Sequence, residues 1–176
     1  VRTVARATMR NAQEVSVESH VDSPPIEQLF YEVEAAQKPA ALAGLLIDHG
    51  ANHALVFCNM RRDTEEVVAS LSHLGFSALA LHGEMEQRDR EEVLVQFANR
   101  SCNVLVASDV AARGLDIEEL GAVINHDVPN DADTYLHRIG RTGRAGRGGV
   151  AVTLSTSREL PRLNAIRDTL GLKIDL

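Results

Sequence analysis

Between Ile26 and Leu170, short apolar runs alternate with segments of helical periodicity, and the connections between them are brief. This alternation constrains the fold more than any other feature. Strands separated by helices run parallel, and the crossing helices cover both faces of the sheet, so each strand reads as an unbroken apolar run. The pattern predicts strands over 28–33, 53–58, 77–81, 103–107, 122–126 and 149–154. Helices are expected from Pro39 through Leu42, Leu45, Leu46 and Ile47 to Gly50, and over 62–74, where Val67, Leu71 and Leu74 face the sheet. Further helices cover 87–98, with Val93, Leu94 and Phe97 inward, 133–139, and a last one carrying Leu160, Leu163, Ile166 and Leu170. Gly75 and Gly171 stand where helices end. With 176 residues and 44% hydrophobic content, the chain can build one such domain and a short appendage.

The appendage is residues 1–19. Val1, Val4, Ala5, Thr8 and Met9 recur at helical spacing, 14–18 alternates like a strand, and neither piece has a partner nearby in the sequence. Asp22-Ser23-Pro24-Pro25 then breaks regular structure. We therefore expect 1–19 to be the end of a preceding domain, 20–25 an interdomain linker and 26–176 the domain proper. An orphan strand would leave an edge on which a second copy could pair. No apolar run approaches the length of a membrane span and no charged-then-apolar leader opens the sequence, so a cytoplasmic protein with no membrane partner is expected. Cys58 and Cys102 sit in or just before apolar runs, with no second Cys or His at ligand spacing, which predicts buried free thiols and no metal site.

In an open α/β sheet, ligands bind beyond the carboxyl ends of the strands. Asn59 to Arg61, His82-Gly83-Glu84, Ser108-Asp109 and His126-Asp127 all fall at or just past such an end, so they converge on one rim. The densest charge lies in 137–149, where Arg138, Arg141, Arg144 and Arg147 recur at every third position among five glycines. Guanidinium is permanently charged and its planar fork matches phosphate oxygens, while glycine lets backbone come close. Four cations are thus offered to an anion, with Tyr135, Leu136 and Ile139 expected on the buried side of the preceding helix. A net charge of −7 speaks against indiscriminate coating of nucleic acid, so the clustering of Arg decides, here and at Arg61, Arg62, Arg88 and Arg90. Two Tyr and no Trp leave the nucleic-acid backbone, rather than stacked bases, as the target.

Two other stretches carry chemistry, and each has a plain alternative. Residues 108–117 place small residues, a hydroxyl, an Arg and two carboxylates behind an apolar strand. That set suits a phosphate and a sugar hydroxyl, but a helix start capped by Ser108 or Asp109 would use the same residues. Gln87 and Arg90 share a face at the amino end of a helix, where anions are favoured; solvated charges beside a capping turn would look alike. His82 alone reads as a hydrogen-bonded structural histidine. No G-x-x-x-x-G-K-[ST] cradle and no acidic pair suited to Mg²⁺ occurs, so this chain does not bind a triphosphate in the manner of a P-loop enzyme.

These blocks resemble the DEAD-box family of ATP-dependent RNA helicases. Phe57-Cys58-Asn59 resembles its motif IV, 82–90 its motif IVa with Q-x-x-R, 108–117 its motif V and 137–144 its motif VI, in family order. The resemblance implies an α/β, three-layer RecA-like (P-loop NTPase-like) domain with a mostly parallel central sheet, the second of two. Residues 24–32 and 86–90 look most like the DbpA-type bacterial subgroup, which implies ribosomal RNA as the target. Carried to matching positions, the family implies that Arg141 and Arg144 act as arginine fingers on the γ-phosphate of ATP. It implies also that His137 couples the two domains and that Asp116 binds the ribose. Asn59, Arg61, Gly83, Gln87, Arg90 and Ser108 would contact the RNA backbone; Ser108 stands where the family usually has Thr and keeps the hydroxyl. ATP and Mg²⁺ would be held mainly by an amino-terminal RecA-like domain, leaving this chain inactive alone. Two other readings stay open: a non-enzymatic RNA-backbone-binding or protein-docking module, and half of a related DNA helicase.

Overall fold

The structure, a computed structural model, describes residues 10–16 as backbone and 26–49, 53–117, 120–143 and 148–172 in full. Among these residues one sheet contains β1 (Arg10–Ser16), β2 (Ile26–Glu32), β3 (Ala54–Cys58), β4 (Ala78–Leu81), β5 (Val104–Ser108), β6 (Ala122–Asn125) and β7 (Gly149–Ser155). The spatial order is β1-β2-β7-β6-β3-β5-β4, and every pairing from β2 to β4 is parallel. The helices are α1 (Lys38–His49), α2 (Arg61–His73), α3 (Gln87–Ala98), the single turn α4 (Asp109–Ala112), α5 (Ala132–Ile139) and α6 (Leu160–Leu170).

β3 shows why its residues are all apolar. Ala54, Val56 and Cys58 join one core with Leu42 and Leu45 of α1 and Val67 of α2, while the intervening Leu55 and Phe57 join another with Val93 and Phe97 of α3. β5 divides in the same way, Val104 and Val106 to one side and Leu105 and Ala107 to the other. A strand alternates faces residue by residue, so burial on both sides demands apolar side chains at both parities. Truncating such a side chain, as in Phe57→Ala, costs about 3–5 kcal/mol. A third core packs Tyr135 and Ile139 of α5 and Leu163 and Ile166 of α6 against Phe30 and Ala151. Both cysteines are buried and free.

The amino-terminal strand departs from expectation. It runs antiparallel to β2, with Glu14 opposite Leu29 and Val15 opposite Gln28, so it has a partner within the chain. β2 is the second strand of the sheet, and the orphan edge that motivated pairing with a second copy is already taken on its inner side. β1 and β2 pair although the Asp22-Ser23-Pro24-Pro25 breaker lies between them in the sequence. The expected helix within 1–9 and the linker 20–25 lie outside the described residues.

Candidate nucleotide and nucleic-acid interface

Parallel register brings the strand ends together: Cys58 pairs with Ser108, Leu81 with Ala107 and Phe57 with Asn125. The segments that follow are therefore neighbours on one rim, as the strand-end rule requires. α5 reaches this rim from β6. It starts where Asp131 accepts the Thr134 N–H at 2.7 Å.

The buried face of α5 is Tyr135, Arg138 and Ile139, whereas Leu136, expected inward, is 46% exposed. Arg138 is only 1% exposed. It holds Asp109 in a two-pronged ion pair, Nε to Oδ1 and Nη2 to Oδ2, both at 2.6 Å. It also donates to Asn59 Oδ1 at 2.7 Å and to the Asp127 carbonyl at 2.9 Å, and lies 5.2 Å over the Phe57 ring. A buried guanidinium persists only when charge and hydrogen bonds are matched around it, and here they are. Arg138 is therefore not available to an external anion. The carboxylate that draws it inward belongs to Asp109, at the start of α4 and 29 residues away in sequence.

Asn59 belongs to the same network. Its Oδ1 accepts from Arg138, its Nδ2 donates to the Val128 carbonyl at 2.9 Å and its N–H donates to Asp127 Oδ2 at 3.0 Å. Both ends of the carboxamide face the protein, so Asn59 ties the end of β3 to the end of β6.

Arg141 follows the end of α5, and its Nη1 donates to the Leu115 carbonyl at 2.5 Å. That bond sets it next to the exposed Asp116. His137, on the outer side of α5, lines a cavity of about 240 Å³ together with Phe57, Arg138 and Arg141. Glycine is required just beyond. Gly143 has φ +70°, and a Cβ there would stand 2.7 Å from Ile26 Cγ1; one on Gly149 would stand 2.4 Å from the Gly143 nitrogen. Arg144, the other expected finger, and Arg147 lie outside the described residues.

The proposed RNA side gathers around α4. Ser108 precedes it with no capping bond from its hydroxyl, which sets aside the plain capping alternative for this residue. A Cβ on Gly83 would lie 3.9 Å from Val110 Cγ1 of α4, and Arg90 Nη2 reaches the Ala111 carbonyl at 3.5 Å. Gln87 is exposed at the head of α3, its amide bonded to Glu91 at 2.9 Å. Arg61 is 46% exposed and bridges Glu65 and Glu84, the neighbour of Gly83.

Residues 37–146 match the model of the helicase conserved C-terminal domain. The chain belongs to that family. It is 43% identical over 175 residues to ATP-dependent RNA helicase DbpA of Escherichia coli, covering 99% of this chain and 38% of that protein. It is 40% identical to DEAD-box ATP-dependent RNA helicase CshA of Bacillus cereus, covering 99% of this chain and 34% of that protein. The chain thus spans well under half the length of these relatives. The crystal structure of a DEAD box protein from Methanococcus jannaschii aligns with a TM-score of 0.75 at 40% identity, over 81% of this chain and 39% of that one. Escherichia coli SrmB, solved bound to regulator of ribonuclease activity A, aligns at 0.74 and 39% identity, over 78% and 81% of the two chains. The DEAD-box resemblance and the RecA-like α/β fold are both borne out.

The helicase C-terminal domain has a second polar cluster, on the α1 side of the sheet. Lys38 Nζ, 7% exposed, donates to the His126 carbonyl at 2.7 Å, Glu159 Oε2 at 3.0 Å and Asp127 Oδ1 at 3.4 Å. Burial by itself would raise the Asp127 carboxyl. The hydrogen bond and charge of His126, with Lys38 and the Asn59 N–H, outweigh it and hold Asp127 well below the usual carboxylate range. Burial, reinforced by the charges of Asp127 and Asp63, pushes the Cys58 thiol up and leaves it unreactive. Cys58, His126 and Asp127 bring one sulfur, one nitrogen and one oxygen within 4.8 Å of one another, a grouping that spacing along the chain did not reveal. Mg²⁺ takes oxygen donors, and the Lys38 ammonium already neutralises Asp127, so this cluster does not fit that ion.

Proposed function

We propose that this chain is the carboxyl-terminal RecA-like domain of an ATP-dependent RNA helicase, its body beginning at residue 26 and extended by β1 as an edge strand. One wall of a cleft is formed here; an amino-terminal RecA-like domain forms the other and holds most of the ATP and Mg²⁺. The bond from Arg141 to the Leu115 carbonyl supports this reading, because it ties a motif VI guanidinium to the motif V backbone one residue before Asp116. A cation suited to phosphate and an acceptor suited to ribose hydroxyls then share one rim.

In this reading Arg141 and Arg144 meet the γ-phosphoryl group, His137 couples the domains across the cleft and Asp116 accepts from the ribose. Gly83, Gln87, Arg90 and Ser108 hold the RNA backbone, with Arg61 at the margin. Hydrolysis spreads negative charge over the phosphoryl oxygens, and fingers placed by closure are worth about 10³ to 10⁵ in rate, roughly 4–7 kcal/mol. Closure aligns the RNA contacts of both domains at once, so nucleotide and RNA reinforce each other and the gripped strand is bent from its complement. The DbpA-type likeness extends the reading to ribosomal RNA and ribosome assembly in the cytoplasm.

The test is nucleotide turnover with and without an added amino-terminal helicase domain, using RNA and DNA in parallel. We expect no turnover from the chain alone, RNA-dependent turnover with the added domain, and loss of that turnover in Arg141→Ala with the fold intact. Unimpaired turnover by Arg141→Ala would remove the finger assignment; equal stimulation by DNA would favour a DNA helicase.

A further inference from the structure

The ends of β3 and β6 carry a cluster that the nucleotide and nucleic-acid reading does not use. Cys58 closes β3, and His126 and Asp127 follow β6. Parallel register sets them side by side: Phe57 pairs with Asn125, and the His126 backbone N–H donates to the Phe57 carbonyl at 3.0 Å. One sulfur, one nitrogen and one oxygen thereby fall within 4.8 Å of one another, and His126 Nδ1 lies 3.1 Å from Asp127 Oδ1. Donors that share a tetrahedral Zn²⁺ at bonds of about 2.0–2.3 Å stand roughly 3.3–3.6 Å apart, so shifts of about an ångström or less seat the ion. A cavity of about 250 Å³ between α1 and α2 opens on His126 and Asp127 and gives it a way in.

The surroundings suit a cation that takes sulfur and nitrogen. Besides Asp127, the described wall of this cavity carries the carboxylates of Asp63 and Glu66 against one cation, Lys38. Glu66 is paired with Arg62, whereas Asp63 has no hydrogen bond and no ion pair among the described residues. Asp127 Oδ2 is taken by the Asn59 N–H at 3.0 Å, a bond of the kind that orients a ligating carboxylate, and this leaves Oδ1 for the ion. Lys38 meets Oδ1 at only 3.4 Å and retains the His126 carbonyl at 2.7 Å and Glu159 at 3.0 Å when Oδ1 turns to a metal. Burial, then the charges of Asp127 and Asp63, keep the proton on Cys58 in the free chain. A divalent ion reverses the sign of that field, and a coordinating thiol is deprotonated outright. The metal–sulfur bond then forms as the S–H bond breaks, and the proton leaves to solvent. We propose that Cys58, His126 and Asp127 are a site for Zn²⁺ or a similar borderline-soft divalent ion, which clamps the end of β3 to the end of β6 with its fourth position open to the cavity. None of the three lines the cavity that holds His137 and Arg141, so the site stands or falls apart from the helicase reading.

The test uses the tag-free chain with Co²⁺ as a spectroscopic stand-in, followed by competition with Zn²⁺. Equimolar Co²⁺ is expected to give a thiolate-to-metal charge-transfer band and the ligand-field bands of a four-coordinate ion, both displaced by Zn²⁺. Zn²⁺ at about a hundredfold excess over its dissociation constant should raise the thermal midpoint by about 5–10 °C. Cys58→Ser should lose the charge-transfer band and Cys102→Ser should keep it. His126→Gln should weaken Zn²⁺ binding by at least about tenfold and shrink the thermal shift, and it decides the matter if Cys58→Ser fails to fold. Absence of a charge-transfer band from the unmodified chain at millimolar Co²⁺ overturns the proposal. A band that survives in Cys58→Ser and vanishes in Cys102→Ser overturns it as well. So does full Zn²⁺ affinity in His126→Gln, which would place the ion elsewhere on the chain.

Discussion

The two ends of α5 put the same side chain to opposite uses. Arg138 lies inside, 1% exposed and committed to Asp109, Asn59 and the Asp127 carbonyl; Arg141, one turn later, is half-buried against the Leu115 carbonyl. Helical periodicity explains half of this, since Arg138 follows Tyr135 by three positions and shares its buried face. The other half is the Asp109 carboxylate, without which burial of a guanidinium would be prohibitive. Motif membership is therefore a poor guide to which arginine meets a ligand, and the position of the nearest carboxylate is a better one.

The largest expected effect tests the inner end. Arg138→Ala leaves Asp109 partly buried without its counter-charge and is expected to cost about 3–5 kcal/mol of stability. Arg141→Ala, half-buried and outside the Asp109 ion pair, should cost less, about 1 kcal/mol. Chemical denaturation of the two variants side by side checks the contrast. Replacing the pair together, Arg138→Met with Asp109→Leu, should recover much of the loss, because the cost arises from an unmatched charge. Equal destabilisation by the two single variants would erase the distinction between inner and outer arginine.

That contrast also marks how far the sequence could be read. The alternation from β2 to α6 was legible because burial on both sheet faces writes itself into apolar runs, as in Ala54–Cys58. Strand ends were placed within a residue or two, enough to bring Gly83, Arg90 and Ser108 around α4. What was not legible depends on pairings distant along the chain. The Arg138–Asp109 and Arg138–Asn59 bonds span 29 and 79 residues, and no local pattern announces them. β1 was misjudged for the same reason, since its place depends on the register with β2 rather than on its own composition. The apolar Leu136 was expected inward on hydropathy, and Arg138 took that side because its charge is satisfied there.

A middle-sized effect sharpens the inner end through pH. The Asp127 carbonyl receives Arg138, while its carboxylate receives Asn59, His126 and Lys38. Because its folded pKa is depressed, the stabilisation is complete above the unfolded pKa of about 3.9 and is lost as pH falls toward and through the folded value. Asp127→Asn should therefore cost about 1.5–3 kcal/mol at neutral pH, and the gap from the unmodified chain should narrow as pH drops from about 5 to 3. Asp63, whose carboxyl burial and the charges of Asp127 and Glu66 raise, gains its proton before Asp127 does. Urea titrations at several pH values give the comparison, and a gap independent of pH would mean that the carboxylate charge does not support the Arg138 network.

The smallest expected effect falls on Arg61, which is neither locked inside nor open to the rim. Glu84 and Glu65 flank its guanidinium, yet all three side chains are about half or more exposed, at 46%, 68% and 50%. Exposed pairs of this kind are screened by water and salt, so Arg61→Ala should alter stability by no more than about 0.5 kcal/mol. Its effect on RNA should also be modest, because a phosphate must displace two carboxylates before it gains the cation. Arg90 reaches the Ala111 carbonyl at 3.5 Å and gives that contact up more readily. Polyuridine affinity measured at two salt concentrations should therefore fall further for Arg90→Ala than for Arg61→Ala, with a larger drop in salt dependence. The reverse order would show that flanking carboxylates hold Arg61 ready for the strand instead of withholding it, and the rule drawn from α5 would then apply only where the partners are buried.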